Sequence, residues 1–202
     1  MFEILRAFNM KLNPKKCVFG VRSGKFLGFM ISYRGIKANP DKIQAVLNMK
    51  PPRNVWEVQR LKGCIEALGR FISRSADKCQ PFFRVLLQRN NFNWDEQADE
   101  AFQALKTYLA QLPKIASPAE GEVLVLYLAV SEHAVSAVLM VERVREQIPV
   151  YYVSHALAGG KMNNPFIEKF AYALVMASLK LRPYFEAHKI LVLTDQPLRN
   201  IL

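Results

Sequence analysis

The pattern of apolar and polar positions in the second half of the chain predicts an α/β layer. Residues 123–130 are apolar at both odd and even positions, which is typical of a strand buried on both faces. A polar corner at residues 131–133 separates this strand from the runs that follow. Those runs predict two strands, an amphipathic helix and a final strand that ends in an acid: Ala134–Val141, Pro149–Ser154, Pro165–Tyr184 and Ile190–Asp195.

The same pattern predicts how these elements assemble. We expect residues 123–130 to be the central strand, antiparallel to Ala134–Val141 and parallel to Ile190–Leu193, with the helix packed across the sheet. Asp195 should then lie close to Ala129, near the carboxyl ends of two neighbouring strands. The fold class predicted for the chain is α/β, more strictly α+β, with a mixed sheet in its second half.

The first half of the chain predicts a few short strands and then helices. Helical spacing over Phe2–Met10 has no capping residue before it. Short strands are expected at Cys17–Val21, Phe26–Ser32 and Ile36–Ala38, with a turn at Arg22–Lys25 joining the first two. So small a sheet is not stable alone, and we therefore expect a preceding segment to be missing.

Capping residues place the helices that follow. Asn39 opens a helix that Pro51 and Pro52 close, and Asn54 with Glu57 predicts a capping box for a helix from residue 55 to about residue 72. The buried stripe expected on this second helix comprises Val58, Leu61, Ile65 and Leu68. Two further helices are expected at Pro81–Gln88 and from Trp94 to Gln111.

One face of the helix at residues 55–72 carries mostly small side chains. Gln59, Gly63 and Ala67 are spaced at i, i+4 and i+8. A glycine inside a helix costs about 1 kcal/mol relative to alanine, so Gly63 requires a reason. Either a nucleic-acid groove or a second helix approaches the backbone closely there, and the residues alone leave both explanations open. The charged residues beside this face are Arg60, Lys62 and Arg70.

Composition limits the class of protein. The chain has 202 residues, enough for one domain or two small ones. Its three cysteines lack the spacing of a zinc site, so we expect a reducing compartment with neither disulfides nor zinc. No apolar run approaches about 18 residues, and no signal peptide is recognisable. We therefore expect an intracellular protein without a membrane partner, and the sequence does not distinguish cytoplasm from nucleus.

The net charge of +11 is concentrated in the first half of the chain. Residues 1–89 hold 18 Lys+Arg and 5 Asp+Glu, whereas residues 90–202 hold 10 and 12. A basic half attached to a nearly neutral half indicates a polyanion partner for the first half. The alternative is a basic surface that is simply solvated.

Several motifs, in order, resemble the reverse transcriptase polyprotein of gypsy-like LTR retrotransposons, with wording closest to plant members. They are MKLNPKKCVFG, GKFLGFMIS, NVWEVQRLKGCIEALGRFI, FNWDEQADEAFQALK, YLAVSEHAVSAVL, VYYVSHAL and LTDQPL. The resemblance covers essentially the whole chain. It implies a palm end (1–38), a thumb (39–89), a connecting helix and linker (90–120) and a C-terminally truncated ribonuclease H-like domain (121–202).

The resemblance implies contacts to an RNA–DNA hybrid or a DNA duplex. The hairpin that holds Phe26, Leu27 and Gly28 would be the primer grip. The helix face of Gln59, Gly63 and Ala67 would lie in the minor groove, with Arg60, Lys62 and Arg70 beside it, although Ala67 lacks the bulk that some relatives have. The polymerase site of the family, a Tyr-x-Asp-Asp turn, is absent from the chain, so the missing fingers and palm would be partners.

The resemblance also implies a ribonuclease H-like site in which four carboxylates hold two Mg²⁺ ions. Ala129 stands where the first aspartate is expected, and Phe170 stands in place of the glutamate of Lys-Glu-Leu. Glu168 lies two positions earlier, about 200° around the helix. Asp195 matches the third carboxylate, and the fourth would follow Leu202. We expect no bound metal here. The alternative for Asp195 is a purely structural role, as a solvated residue that starts a helix before Pro197.

The predicted function is therefore that of a retrotransposon-derived segment that binds a duplex and does not cleave it. The parent family is an RNA-directed DNA polymerase with ribonuclease H, and we expect this chain alone to be inactive. One alternative is an active hybrid ribonuclease, or a reverse transcriptase that acts with a partner segment. A second alternative is a decayed reading frame without function.

Overall fold

The computed structural model describes residues 2–17, 20–26, 28–32, 35–88 and 92–198. Its helices are α1 (Phe2–Ala7), α2 (Pro40–Leu47), α3 (Val55–Leu68), α4 (Ser75–Lys78), α5 (Gln80–Leu87), α6 (Glu96–Ala110), α7 (Phe166–Lys180) and α8 (Arg182–Ala187). Its strands are β1 (Ser23–Phe26), β2 (Phe29–Ser32), β3 (Gly35–Ala38), β4 (Leu124–Val130), β5 (Ala134–Arg143), β6 (Glu146–Ala156) and β7 (Ile190–Leu193). Within the described ranges, no helix is long and apolar enough to cross a bilayer.

The first sheet is an antiparallel meander in the order β1-β2-β3. Its first turn includes Gly28, because Phe26 pairs with Phe29, and the predicted turn at Arg22–Lys25 is wrong. Gly28 explains the difference, since its φ of +81° is a left-handed conformation that glycine adopts without strain. The predicted strand at Cys17–Val21 is also wrong where it can be judged, because Cys17, Gly20 and Val21 are not in a strand.

Capping hydrogen bonds begin the helices where the sequence predicts. The side chain of Asn54 accepts a hydrogen bond from the backbone N–H of Glu57 at 2.9 Å, and Glu57 accepts one from the N–H of Arg53 at 2.7 Å. Asn39 and Asp95 cap α2 and α6 in the same way. The predicted helices are therefore confirmed, although α3 ends at Leu68 and continues as a 3₁₀ turn, Gly69–Phe71.

Helices α2, α3, α5 and α6 enclose one hydrophobic core. The predicted stripe of α3 is confirmed, since Val58, Leu61, Ile65 and Leu68 are at most 4% exposed. Three aromatic side chains complete this core, namely Phe71, Phe82 and Phe102. The connecting helix α6 thus packs with the helices before it, and the predicted domain boundaries stay a prediction.

The second sheet has the order β6-β5-β4-β7. Strand β4 is antiparallel to β5 and parallel to β7, as predicted. Its burial on both faces is only partly as expected: residues 124–126 are buried, but Ala129 is exposed. Strand β6 runs through Pro149, where the pairing register with β5 shifts, and a proline is tolerated in such an edge strand because a bulge removes the need for its N–H.

The helix that covers this sheet is divided in two. The sequence pattern predicts one helix over residues 165–184, whereas the chain forms α7 and α8 with a break at Leu181. Pro183 accounts for the break, because proline has no N–H to donate and its ring clashes inside a helix but not in the first turn. Ala177 and Leu181 pack against Leu124, Leu126 and other sheet residues in a second core.

Two backbone contacts join the sheets through the linker after α6. Ile36 and Ile115 exchange hydrogen bonds of 3.0 and 3.2 Å, and the N–H of Ala116 donates to the carbonyl of Pro149 at 2.7 Å. The linker approaches β3 so closely that a Cβ on Gly35 would lie 2.4 Å from the carbonyl oxygen of Ile115. Gly35 also has a φ of +118°.

We expect Gly35→Ala to lower the free energy of unfolding by about 2 kcal/mol or more, since it adds both a backbone clash and left-handed strain. Gly160→Ala is the matched control, because a Cβ there meets no atom within 4 Å and the backbone is not left-handed. The control should change stability by no more than about 0.5 kcal/mol in urea titrations. Equal effects of the two substitutions would contradict the close contact at Gly35.

The ion pair of Glu122 and Arg143 ties the linker to β5. Arg143 donates from Nε at 2.8 Å and from Nη2 at 2.7 Å, and the N–H of Ala119 donates at 2.7 Å. The Arg143 bond, followed by that of Ala119, lowers the pKa of Glu122 from 4.5 to about 2. Because the pKa is lower in the folded state, the pair stabilises the protein above about pH 4.5, and this is lost as the pH falls toward 2.

Glu122→Gln should therefore flatten the acid limb of a plot of stability against pH. At pH 7 we expect a loss of about 1 kcal/mol, since the pair is partly open to solvent. Glu120→Gln, which alters an exposed carboxylate of the same linker, should leave the acid limb unchanged. Identical pH profiles for Glu122→Gln and the wild type would refute this role.

Candidate nucleic-acid interface

The small face of α3 is open to solvent. Gln59, Gly63 and Ala67 are all exposed, on the side opposite the buried stripe. A Cβ built on Gly63 has no atom within 4 Å. The helix-crossing explanation of Gly63 is therefore wrong for the part of the chain that the structure describes. These residues form an exposed strip with open space at Gly63, where a ligand can approach the backbone of the helix.

The three predicted cations beside this strip differ in their surroundings. Arg60 is exposed and takes part in no ion pair within the described ranges. The ammonium of Lys62 lies 3.5 Å from a carboxylate oxygen of Glu66 and 5.3 Å from the centroid of the Phe83 ring. Arg60 is thus the cation most available to a ligand, and Lys62 is partly committed to its neighbours.

Arg70 has a different placement from the one the sequence predicts. Its guanidinium donates a hydrogen bond of 2.8 Å to the hydroxyl of Tyr184 and lies 4.7 Å from the centroid of the Tyr151 ring. These partners belong to the second sheet and its helices. Arg70 follows the end of α3, so helical spacing no longer places it on the strip, and we correct its expected position from the ligand face to the junction.

The predicted primer-grip hairpin is anchored to the end of α3. Phe29 of β2 lies 5.8 Å from the ring centroid of Phe71. Phe26, next to the turn, is 60% exposed, Gly28 forms the turn, and Leu27 lies outside the described residues. An exposed phenylalanine at a hairpin end can stack on a base or sugar, but its role stays a prediction.

The carboxylate positions of the second sheet lie at one edge. In the parallel register of β4 and β7, Tyr127 faces Leu193, so Ala129 and Asp195 each follow the last facing pair by two residues. Asp195 is exposed, and one of its carboxylate oxygens accepts a hydrogen bond from the Gln196 amide at 3.2 Å. The predicted neighbourhood of these two positions agrees with the topology.

At the start of α7, Phe170, Glu168 and Lys169 differ in their surroundings. Phe170 is buried, with its ring edge-on to Phe166 at 5.2 Å, and Glu168 is exposed. The buried Lys169 donates instead to the carbonyl oxygen of Glu132 at 3.4 Å. Across the residues that the structure places, no three His, Cys, Asp or Glu side chains come together as metal ligands. Of the three positions compared, only Asp195 offers an oxygen ligand for Mg²⁺, since Ala129 has a methyl and Phe170 a ring.

Helix α4 makes a contact at the same edge that no sequence pattern predicts. The hydroxyl of Ser131 donates to the carboxylate of Asp77, which also accepts a hydrogen bond from Arg74 at 3.0 Å. Ser131 and Asp77 are 54 positions apart, and neither lies in a periodic pattern that would pair them. The edge beyond Ala129 is therefore partly occupied by the helical half of the chain.

A buried thiol lines the cavity between α3, α5 and β6. Burial raises the pKa of Cys79 to about 12, so that the thiol stays protonated near neutral pH. A protonated thiol is a poor nucleophile and a poor metal ligand. The volume of this cavity is about 380 Å³.

Known proteins resemble this chain in sequence and in fold. Residues 94–192 match the family described as the RNase H-like domain found in reverse transcriptase. The fold is that of solved foamy viral protease-reverse transcriptases: one in complex with an RNA/DNA hybrid superposes with a TM-score of 0.72 at 18% identity, over 85% of this chain and 23% of the other. Another, in complex with dsDNA, gives 0.70 at 19%, over 89% and 39%. The predicted α/β fold with a mixed sheet is confirmed.

Among curated proteins, the chain is similar to polyproteins of mobile elements. It is 28% identical to the retrovirus-related Pol polyprotein from transposon 412 of Drosophila melanogaster, over 96% of this chain and 16% of that protein. It is 30% identical to that from transposon 297, over 98% and 19%, and 26% identical to the Tf2-3 polyprotein of Schizosaccharomyces pombe, over 100% and 15%. The chain thus spans less than a fifth of these relatives' length.

Proposed function

We propose that this chain binds an RNA–DNA hybrid or a DNA duplex along the exposed strip of α3, and that its RNase H-like domain supports the duplex without cleaving it. The observation that carries the proposal is the open space at Gly63. A helix-breaking residue persists on an exposed helix face although no described neighbour requires it. Close approach of a duplex groove supplies the missing reason.

The chemistry around the strip supports the same partner. A duplex carries a dense row of phosphates, and Lys or Arg side chains beside a flat surface contact them. Arg60 and the basic first half of the chain supply this charge. The solved structures with the same fold were determined with an RNA/DNA hybrid and with dsDNA, which makes these two duplexes the first to test.

We also propose a more specific source for the chain than its similarity to the proteins named above establishes. The order of motifs supports a gypsy-like LTR retrotransposon as the source, with the remaining reverse transcriptase segments as partners. The relatives named above come from a fly and a yeast, so the closer resemblance to plant members stays a prediction. The reading frame on either side of the coding sequence tests it, since a Tyr-x-Asp-Asp turn upstream would establish the source.

Gly63→Leu separates binding from stability. Leucine fits the open space and is a better helix former, so we expect the free energy of unfolding to rise by up to about 1 kcal/mol. A bulky side chain on the strip should nevertheless weaken duplex binding about tenfold or more. Fluorescence anisotropy with a labelled hybrid measures the affinity, and Gln103→Leu on the exposed face of α6 is the matched control. Unchanged affinity in Gly63→Leu would remove the strip from the interface.

The salt dependence of binding tests separately whether Arg60 contacts phosphate. Arg60→Gln should reduce the slope of log K against log salt by about 0.9, because one fewer counterion is released. A slope equal to that of the wild type would mean that Arg60 does not contact phosphate.

The absence of cleavage is proposed from three positions. Ala129 and Phe170 offer no oxygen ligand, and Asp195 alone would hold Mg²⁺ only through its waters. Without two ions, neither the attacking water nor the leaving oxygen is stabilised. The alternative is a ribonuclease completed by a partner segment, which the retained, exposed Asp195 would serve.

We therefore expect no cleavage of the RNA strand of a hybrid by the wild-type chain, with either Mg²⁺ or Mn²⁺. Product strands resolved on a denaturing gel provide the measurement. Asp195→Asn prepared in parallel distinguishes intrinsic activity from contamination. Cleavage that the wild type shows and Asp195→Asn lacks would establish a working site and overturn the proposal.

A further inference from the structure

Arg70 lies where the helical core meets the second sheet. It belongs to the 3₁₀ turn that directly follows α3. Its Nη2 donates hydrogen bonds to the hydroxyl of Tyr184 at 2.8 Å and to the carbonyl oxygen of Val150 at 3.4 Å. Its Cζ lies 4.7 Å from the ring centroid of Tyr151 and 5.9 Å from that of Phe29. One side chain thus contacts β2, β6 and α8.

The surroundings of this guanidinium are those of a structural cation. Its Nε is buried and has no hydrogen-bond partner among the residues that the structure describes, and no ion pair of those residues includes it. Two aromatic faces and two neutral oxygens hold the charge instead. Such a site uses the planar fork of arginine, which can stack on a ring and donate along its edge at the same time.

The position of Arg70 in the chain links these contacts to the strip on α3. Arg70 is three residues after Ala67, the last member of the strip, and one turn of helix after Glu66. Two other hydrogen bonds across the junction, among the residues that the structure describes, come later in the chain: the N–H of Ala76 donates to Ser154 at 3.0 Å, and Ser131 donates to Asp77. Among these contacts, Arg70 is therefore the nearest to the end of α3.

We infer that Arg70 is a positioning residue for duplex binding, which fixes the end of α3 against the second sheet and acts on affinity through that helix. It does not touch the nucleic acid itself. The inference rests on the proposed function and adds to it a residue whose charge serves a different purpose from that of Arg60. Tyr184, far from α3 in the sequence, contributes to the same positioning because its hydroxyl accepts the shorter hydrogen bond of Arg70.

The experiment uses the full chain and a labelled RNA–DNA hybrid, at a temperature at which circular dichroism shows each variant to be folded. Arg70→Ala should weaken binding about fivefold to tenfold, the effect expected when a charge-assisted hydrogen bond is lost. Its salt slope should equal that of the wild type, whereas Arg60→Gln should lose about 0.9. Arg70→Lys should restore little affinity, because an ammonium cannot stack and donate along an edge.

Tyr184→Phe tests the pairing of the two residues. It should weaken binding about twofold to threefold, and the variant that combines it with Arg70→Ala should bind no more weakly than Arg70→Ala alone. Independent roles would instead give effects that multiply.

Each other outcome overturns the inference. A salt slope lowered by about 0.9 in Arg70→Ala, or full rescue by Arg70→Lys, would mean direct contact with phosphate. A lower melting temperature with unchanged affinity would mean a purely structural role. If the wild type binds neither a hybrid nor a DNA duplex, the proposed function fails. Hydrogen exchange without nucleic acid tests separately whether Arg70 fixes the end of α3. Amides at residues 65–68 should exchange faster in Arg70→Ala, and unchanged exchange would refute the link.

Discussion

Two adjacent residues of the linker after α6 fix the relation of the two sheets. Ile115 exchanges two backbone hydrogen bonds with Ile36 of β3, and Ala116 donates to Pro149 of β6. Both linker residues are buried, and a buried backbone group that loses its partner is costly. The linker can therefore leave neither sheet without unpairing a buried group. The first sheet, too small to be stable alone, gains a fourth partner in this way.

Hydrogen bonds between polar groups make the other contacts of the junction between the helical core and the second sheet. The hydroxyl of Ser154 accepts a hydrogen bond from the N–H of Ala76 and lies 2.9 Å from the hydroxyl of Ser136. Asp77 with Ser131 and Arg70 with Tyr184 add two more directional contacts. Hydrogen bonds specify orientation more strictly than apolar packing does, because each fails when the angle changes. The exposed strip of α3 is consequently held at a set angle to the second sheet.

Local patterns predicted most of the elements, and long-range contacts explain most of the errors. The caps Asn39 and Asn54 and the stripe of α3 follow from spacing within one helix, so periodicity was sufficient for them. Pro183 also indicates the break, but the continuous apolar pattern around it predicted a single helix. The placement of Arg70 was not predictable, because its partners lie 80 and 114 positions away. Charge alone could not distinguish it from Arg60.

The surroundings of Phe170 show why a carboxylate at its position would be unfavourable. Its ring is buried against Phe166 and contributes apolar burial at the start of α7. A glutamate there would place a carboxylate in a poorly solvated site, and burial of an unpaired charge is strongly unfavourable. Sites that keep their carboxylates offset this cost with bound cations, but Ala129 supplies no second ligand for one. Ala129 differs, because it is exposed and an aspartate there would stay solvated, so the burial of the ring explains the residue at position 170 alone.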